Sequence, residues 1–121
     1  MNRSYWQARW RSLGHALQGI GWGLRRQPHV RIHALATLVV AGLAVGLRVE
    51  RWEACVLALC VGQVWAAELL NTALESLTDL VSPQHQTRAG RAKDVAAGAV
   101  LAVAATSVVG AVLVFWPYVL G

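Results

Sequence analysis

Charge is scarce in this chain. Only 14% of its 121 residues are Asp, Glu, Lys or Arg, against 56% that are hydrophobic. Small soluble domains bury the smallest share of their apolar surface, so a domain of this length cannot hide so much. The composition excludes a disordered segment and argues against an ordinary cytosolic enzyme. It also argues against a nucleic-acid partner, despite a net charge of +5. The usual nucleotide and hydrolase motifs are missing as well: there is no Walker A sequence, no kinase Gly-rich loop, no HExxH and no G-x-S-x-G. Cysteine is limited to Cys55 and Cys60. Their i, i+5 spacing puts them on different helix faces, so they read as small apolar residues rather than a disulfide or metal pair. There is no internal repeat, no low-complexity linker and no cleavable signal pattern at the start. The expectation is one domain over 1–121.

What the chain does have is long stretches without a formal charge, at 32–47, 54–67 and 95–121. The third is long enough to span a bilayer, which takes roughly 20 residues. The first reaches that length through the snorkelling ends of Arg31 and Arg48. The second rises only about 21 Å against a hydrocarbon core of about 30 Å. Its helix must therefore continue past Glu68, which puts that carboxylate at or just inside the bilayer edge. An acid there is costly and is usually functional. Spans are predicted over 30–48, 52–81 (with a cytosolic extension) and 94–118.

Orientation follows from the basic residues. Arg48 and Arg51 lie between spans one and two; the other nine lie before span one or between spans two and three. The positive-inside bias puts the amino terminus and the 79–94 loop in the cytoplasm. Trp52, Trp116 and Tyr118 then mark one interface, and Trp6, Trp10 and Trp22 the other.

The amino-terminal segment carries a helical stripe: Trp6, Trp10, Leu13, Leu17, Ile20 and Leu24 step by four, three, four, three and four. A helix over 4–26 follows, either packed on the rest of the protein or lying in the inner headgroup layer. Trp and Arg together suit the second. Pro28 separates it from span one.

Four of the six acids, Glu68, Glu75, Asp79 and Asp94, fall on the cytoplasmic side. On a helix turning about 100° per residue, Glu68, Asn71, Glu75 and Asp79 occupy an arc of about 80°, with Thr72 close by. This is a polar ridge leaving the membrane. It reads either as a solvated extension or oligomer seam, or as a site. Glu68 and Asn71 lie among Val64, Leu69 and Leu70, and a buried carboxylate there needs a cation, a proton or hydrogen bonds. Glu68 and Glu75 are about 10.5 Å apart along the axis, too far to grip one ion. Asn71 and Glu75 are i, i+4 neighbours that can share a hydrated Mg²⁺. Glu68, deeper, is at the level of a lipid headgroup. Beyond a short loop with Ser82, Pro83 and His85 comes Gly90-Arg91-Ala92-Lys93-Asp94, just before span three. Arg91 and Lys93 at a helix amino terminus read as a phosphate site or as membrane anchoring.

These residues resemble a known family. Glu68-Leu-Leu-Asn71-Thr72-Ala-Leu-Glu75, then Asp79, then Gly90-Arg91-Ala92-Lys93-Asp94, are similar to the motifs of the prokaryotic diacylglycerol kinases, small trimeric membrane kinases unrelated to soluble kinases. The resemblance covers nearly the whole chain. It implies an all-α membrane protein: an amphipathic surface helix plus three transmembrane helices in a homotrimer, with sites between subunits. It implies transfer of the ATP γ-phosphoryl group to the hydroxyl of diacylglycerol or undecaprenol, with Mg²⁺, at the inner face of the bacterial cytoplasmic membrane. Arg31-Ile32-His33 and Asp94-Val-Ala-Ala-Gly-Ala-Val look more like the undecaprenol-type branch. Carried over by position, Glu68 is the general base, and Thr72 lies with it on the lipid. Asn71 positions substrate and phosphate, and Glu75 binds Mg²⁺. Lys93 contacts the transferring phosphate, and Gly90, Arg91 and Asp94 hold the nucleotide, with His85 nearby. The family commonly has a metal-binding Glu where this chain has Gln27, and Asn where it has His29. A neutral amide oxygen at Gln27 should hold Mg²⁺ more weakly. The rival reading is a non-catalytic oligomeric channel or scaffold whose acidic ridge lines a pore or seals a seam.

Overall fold

The computed structural model describes residues 2–121. Its elements are four helices: α1 (Arg3–Arg26), α2 (Pro28–Gly46), α3 (Arg51–Val81) and α4 (Thr87–Leu120). The last three are each long and apolar enough to cross a membrane, and α1 is not among them. The chain is a multi-pass, all-α membrane protein.

A single residue separates α1 from α2. Gln27 leaves the helical region at φ −113°, ψ 114°, while its N–H still donates to the Gly23 carbonyl at 2.8 Å. Pro28 then opens α2, where its missing N–H costs nothing. The elbow closes tightly because position 23 has no side chain. A Cβ there would lie 3.4 Å from Leu69 and 3.6 Å from Val30, the most deeply buried residue of the chain.

Helix α2 ends at Gly46 rather than at 48. Arg48 takes the left-handed conformation at φ 53°, the Val49 N–H donates to Ala44 and the Arg48 N–H to Val45, both at 3.2 Å. These are the two bonds of a Schellman stop, with arginine where glycine is usual. Helix α3 then starts on a capping box: Glu50 accepts from the Glu53 N–H, and the Glu50 N–H donates to Glu53 Oε2 at 2.9 Å.

Helix α4 opens at Thr87, ahead of the span expected from 94, because hydropathy marks where the membrane starts and not where helix starts. The intervening Ala, Arg and Lys are strong helix formers and wind a polar lead-in of about two turns. Lys93, Ala96, Val103, Ser107, Gly110, Val114 and Tyr118 make the inward stripe of this helix, which packs chiefly on α3. The packing is tight at Gly110, where an added Cβ would sit 3.0 Å from Cys60 Sγ. Ser107 Oγ donates to the Cys60 carbonyl at 3.2 Å in the same layer. Both cysteines are free.

The chain exposes 9237 Å². A compact soluble protein of 13.0 kDa exposes roughly 6,300 Å². Among the described residues the buried hydrophobic side chains are Val30, Leu57, Ala96 and Val114, while Leu35, Leu38, Leu101 and Leu113 stand outward. Such a surface is stable only against lipid or other copies of the chain.

Candidate functional site

At about 46 Å, α3 outlasts a bilayer core by about three turns. Glu68 lies about 26 Å along it from Arg51, and Glu75 and Asp79 lie about two and about three turns beyond it. The helix therefore carries Glu68, Glu75 and Asp79 in single file across one boundary of the membrane.

Glu68 is buried, its side chain 6% exposed. It faces α2, where His33 Nε2 stands 3.3 Å from Glu68 Oε2. Thr72 is buried too, and its Oγ1 turns back to the Glu68 carbonyl at 2.9 Å. That bond occupies the hydroxyl and leaves the Glu68 carboxylate free of it. One turn up, Asn71 Nδ2 donates to Glu75 Oε1 at 3.2 Å. Asn71 Oδ1 is the buried side-chain polar atom that, among the described residues, has no hydrogen-bond partner. Buried acceptors are nearly always satisfied, so an unpaired one beside a carboxylate is a place for a ligand atom.

The groups beyond the Asn71–Glu75 pair are arranged differently. Lys93 reaches back from α4 to an ion pair with Asp79 on α3, so its ammonium caps the acidic ridge. Gly90, Arg91 and Asp94 are exposed, and neither Arg91 nor Asp94 makes an ion pair or side-chain hydrogen bond among the described residues. Because α4 begins at Thr87, its free amino-terminal N–H groups belong to residues 87–89. The Gly90 N–H is already bonded to the Gln86 carbonyl at 3.0 Å. Arg91 and Lys93 thus lie a turn or more inside the helix, and not beside open backbone donors as their sequence position suggested. His85 is exposed and left-handed, φ 54°, at the end of a turn closed on Ser82. Gln27 sits at the α1–α2 elbow with no side-chain cap bond.

Two cavities flank the ridge. One, about 320 Å³, lies between Gly19, Ile20 and Gly23 of α1 and Leu69, Thr72 and Ser76 of α3. The other, about 230 Å³ and almost wholly apolar, runs within the membrane-spanning part between α2, α3 and α4, with His33 and Trp65 on its wall.

No three of His, Cys, Asp and Glu gather into a metal cage among the described residues. Nucleotide-bound Mg²⁺ does not need one, since it keeps waters and phosphate oxygens and takes one or two carboxylates. Glu75, with the unpaired Asn71 oxygen beside it, fits that modest demand.

Sequence reasoning grouped Glu68, Asn71, Thr72, Glu75 and Asp79 on one face, and the fold keeps them together. It missed His33 as the partner of Glu68. The signal was present: a histidine at the mouth of the apolar 32–47 stretch, in a chain whose buried acid needed a neighbour. It also missed that Glu53 is buried and accepts a hydrogen bond from Tyr118.

A family model described as prokaryotic diacylglycerol kinase matches residues 14–115. The chain is 36% identical over 109 residues to the undecaprenol kinase of Bacillus subtilis (strain 168), an alignment covering 88% of this chain and 87% of that protein. It is 42% identical over 99 residues to a diacylglycerol kinase of Synechocystis, covering 81% of this chain and 57% of the relative. To the diacylglycerol kinase of Escherichia coli (strain K12) it is 25% identical over 108 residues, covering 89% and 88%.

Proposed function

The chain belongs to the prokaryotic diacylglycerol kinase family, and from that premise we propose that it moves the terminal phosphoryl group of ATP onto the hydroxyl of a membrane lipid at the cytoplasmic face. The observation that carries this reading is the ridge on α3. A buried carboxylate at the membrane boundary continues, on the same helix face, into an Asn–Glu pair in reach of the cytosol. One end meets a lipid headgroup and the other a nucleotide.

The chemistry needs little more than positioning and charge. Glu68 accepts the proton of the lipid hydroxyl as its oxygen attacks the γ-phosphorus. The new O–P bond forms as the bond to the bridging oxygen breaks, and ADP leaves with that electron pair. Burial keeps bulk water from competing with the lipid hydroxyl. Asn71 holds Glu75 through Nδ2 and offers its free Oδ1 to the incoming groups. Lys93, released from Asp79, would follow the transferring phosphate, while Arg91 and Asp94 would hold the nucleotide with Gly90 and His85 nearby. Glu75 is the residue that would carry Mg²⁺, with Gln27 as a weaker oxygen donor; the ion, when bound, supplies charge neutralisation on the phosphates. The extensive apolar exposure supports a homotrimer with sites completed between subunits, and the arginine-rich amino-terminal segment supports a cytoplasmic amino terminus at the inner membrane.

The relatives carry names with two lipid alcohols, which supports diacylglycerol or undecaprenol as the substrate to test. The test is labelled ATP with purified protein in detergent, given dioleoylglycerol or undecaprenol, with and without Mg²⁺. Labelled phospholipid with at least one alcohol is expected. No transfer to either, and no rise in Tm with Mg²⁺ and ATP together, returns the protein to the channel or scaffold reading.

A further inference from the structure

We propose that His33 is a positioning residue for Glu68, holding one carboxylate oxygen from the α2 side so that the other faces the lipid hydroxyl. The proposal rests on the reading of Glu68 as the base.

His33 Nε2 is 3.3 Å from Glu68 Oε2, and both side chains are largely removed from solvent, at 20% and 6% exposure. No side-chain hydrogen bond is made by Glu68 among the described residues, so the imidazole is the group that answers the carboxylate. With Glu68 ionised, Nε2 carries the proton toward it. Contacts of this kind are often long in the resting enzyme and tighten when substrate arrives.

A second tie fixes His33 in place. Trp65 Nε1 donates to Thr37 Oγ1 at 2.8 Å, and Thr37 Oγ1 donates to the His33 carbonyl at 2.7 Å. Trp65 and Glu68 are one turn apart on α3, as Thr37 and His33 are on α2. The two helices are thus joined by two polar rungs one turn apart, in a stretch otherwise apolar. The Trp65–Thr37 rung uses groups with no role in the reaction, and it terminates on the backbone of the residue that faces Glu68. His33 also borders the 230 Å³ apolar cavity between α2, α3 and α4. The base is therefore oriented where polar headgroup chemistry meets hydrocarbon.

In the transfer step, His33 neither gains nor loses a proton. The hydroxyl proton goes to the Glu68 oxygen not held by the ring, and the imidazole N–H stays on Oε2 throughout. Its removal should lower turnover without weakening nucleotide binding, the pattern of a lost orientation. The loss expected is about 10- to 100-fold in kcat, typical of a supporting hydrogen-bond partner.

The experiment compares wild type, His33→Leu, His33→Gln and Glu68→Gln, as full-length protein in detergent, with labelled ATP and both dioleoylglycerol and undecaprenol. The ¹⁵N signal of the His33 ring is followed in wild type and Glu68→Gln. We expect His33→Leu to lose kcat with little change in KM for ATP. His33→Gln, whose amide can donate from a similar place, should recover most of it. The His33 Nε2 signal should move when Glu68 becomes Gln. Wild-type kcat in His33→Leu overturns the proposal. So does a Gln variant as poor as Leu, or an Nε2 signal indifferent to Glu68→Gln. The ring signal decides the matter even if the Leu variant fails to fold. Full turnover in Glu68→Gln removes the base assignment itself. A dead Glu68→Gln with a fully active His33→Leu removes only the role of His33.

Discussion

Helix α3 buries two carboxylates, Glu53 and Glu68, at opposite ends of its membrane crossing, and their surroundings differ in kind. Glu53 Oε2 accepts from the Glu50 N–H and from the Tyr118 hydroxyl, and Trp52 Nε1 bonds Glu50 Oε2 at 2.7 Å alongside. Its partners are donors supplied by the helix start and by the end of α4, so the group is spoken for. Glu68 has only the imidazole edge of His33, and one turn on Asn71 Oδ1 has nothing. Equal burial therefore hides unequal satisfaction. A satisfied buried acid fastens helices together; an under-satisfied one is held open for a ligand.

The sharpest way to break this contrast is to neutralise each acid. Glu68→Gln should cut lipid phosphorylation by about 10² to 10⁴-fold, the share general-base catalysis supplies, with Tm nearly unchanged. Glu53→Ala should do the reverse, leaving kcat within a few-fold while costing about 1–3 kcal/mol, because it strands the Tyr118 and Glu50 donors. Turnover and thermal melts of both variants check this, and a Glu68→Gln protein that merely melts early would erase the distinction.

A change between the two ends sharpens it further. Gly110→Leu must push α4 away from Cys60 and should cost about 1–3 kcal/mol as overpacking. Helix separation there should weaken the Tyr118–Glu53 tie more than the α2–α3 rungs at His33 and Thr37, since α2 does not carry the strain. Detergent melts, together with residual turnover below Tm, would show it.

Smaller effects belong to the Glu68 end. Gln27→Glu restores a charge at the elbow and should lower the Mg²⁺ needed for half-maximal activity several-fold; an unchanged Mg²⁺ titration places Gln27 away from the ion. Asp79→Asn should have the least effect, a few-fold lower KM for ATP, by freeing Lys93 from its exposed ion pair.

Much of this was readable in advance. The break at Pro28, the charge-free stretches and the acidic face of α3 depend on local chemistry and on 3.6-residue periodicity, and each appears in the structure. Helix α4 starts ahead of the expected span because polarity ends a membrane span but not a helix. His33 and Thr37 escaped notice because each sits on an apolar helix as an isolated polar residue, and only packing reveals what it faces.

By itself, the order of residues decided that this chain crosses a membrane, how many times, and which side chains share the ridge; hydrophobic length and helical period are properties of contiguous chain. Tertiary structure alone decided which buried acid is answered and which is left open. That depends on donors 35 or 65 residues away in sequence, and no local rule says which turn of one helix will stand against which turn of another.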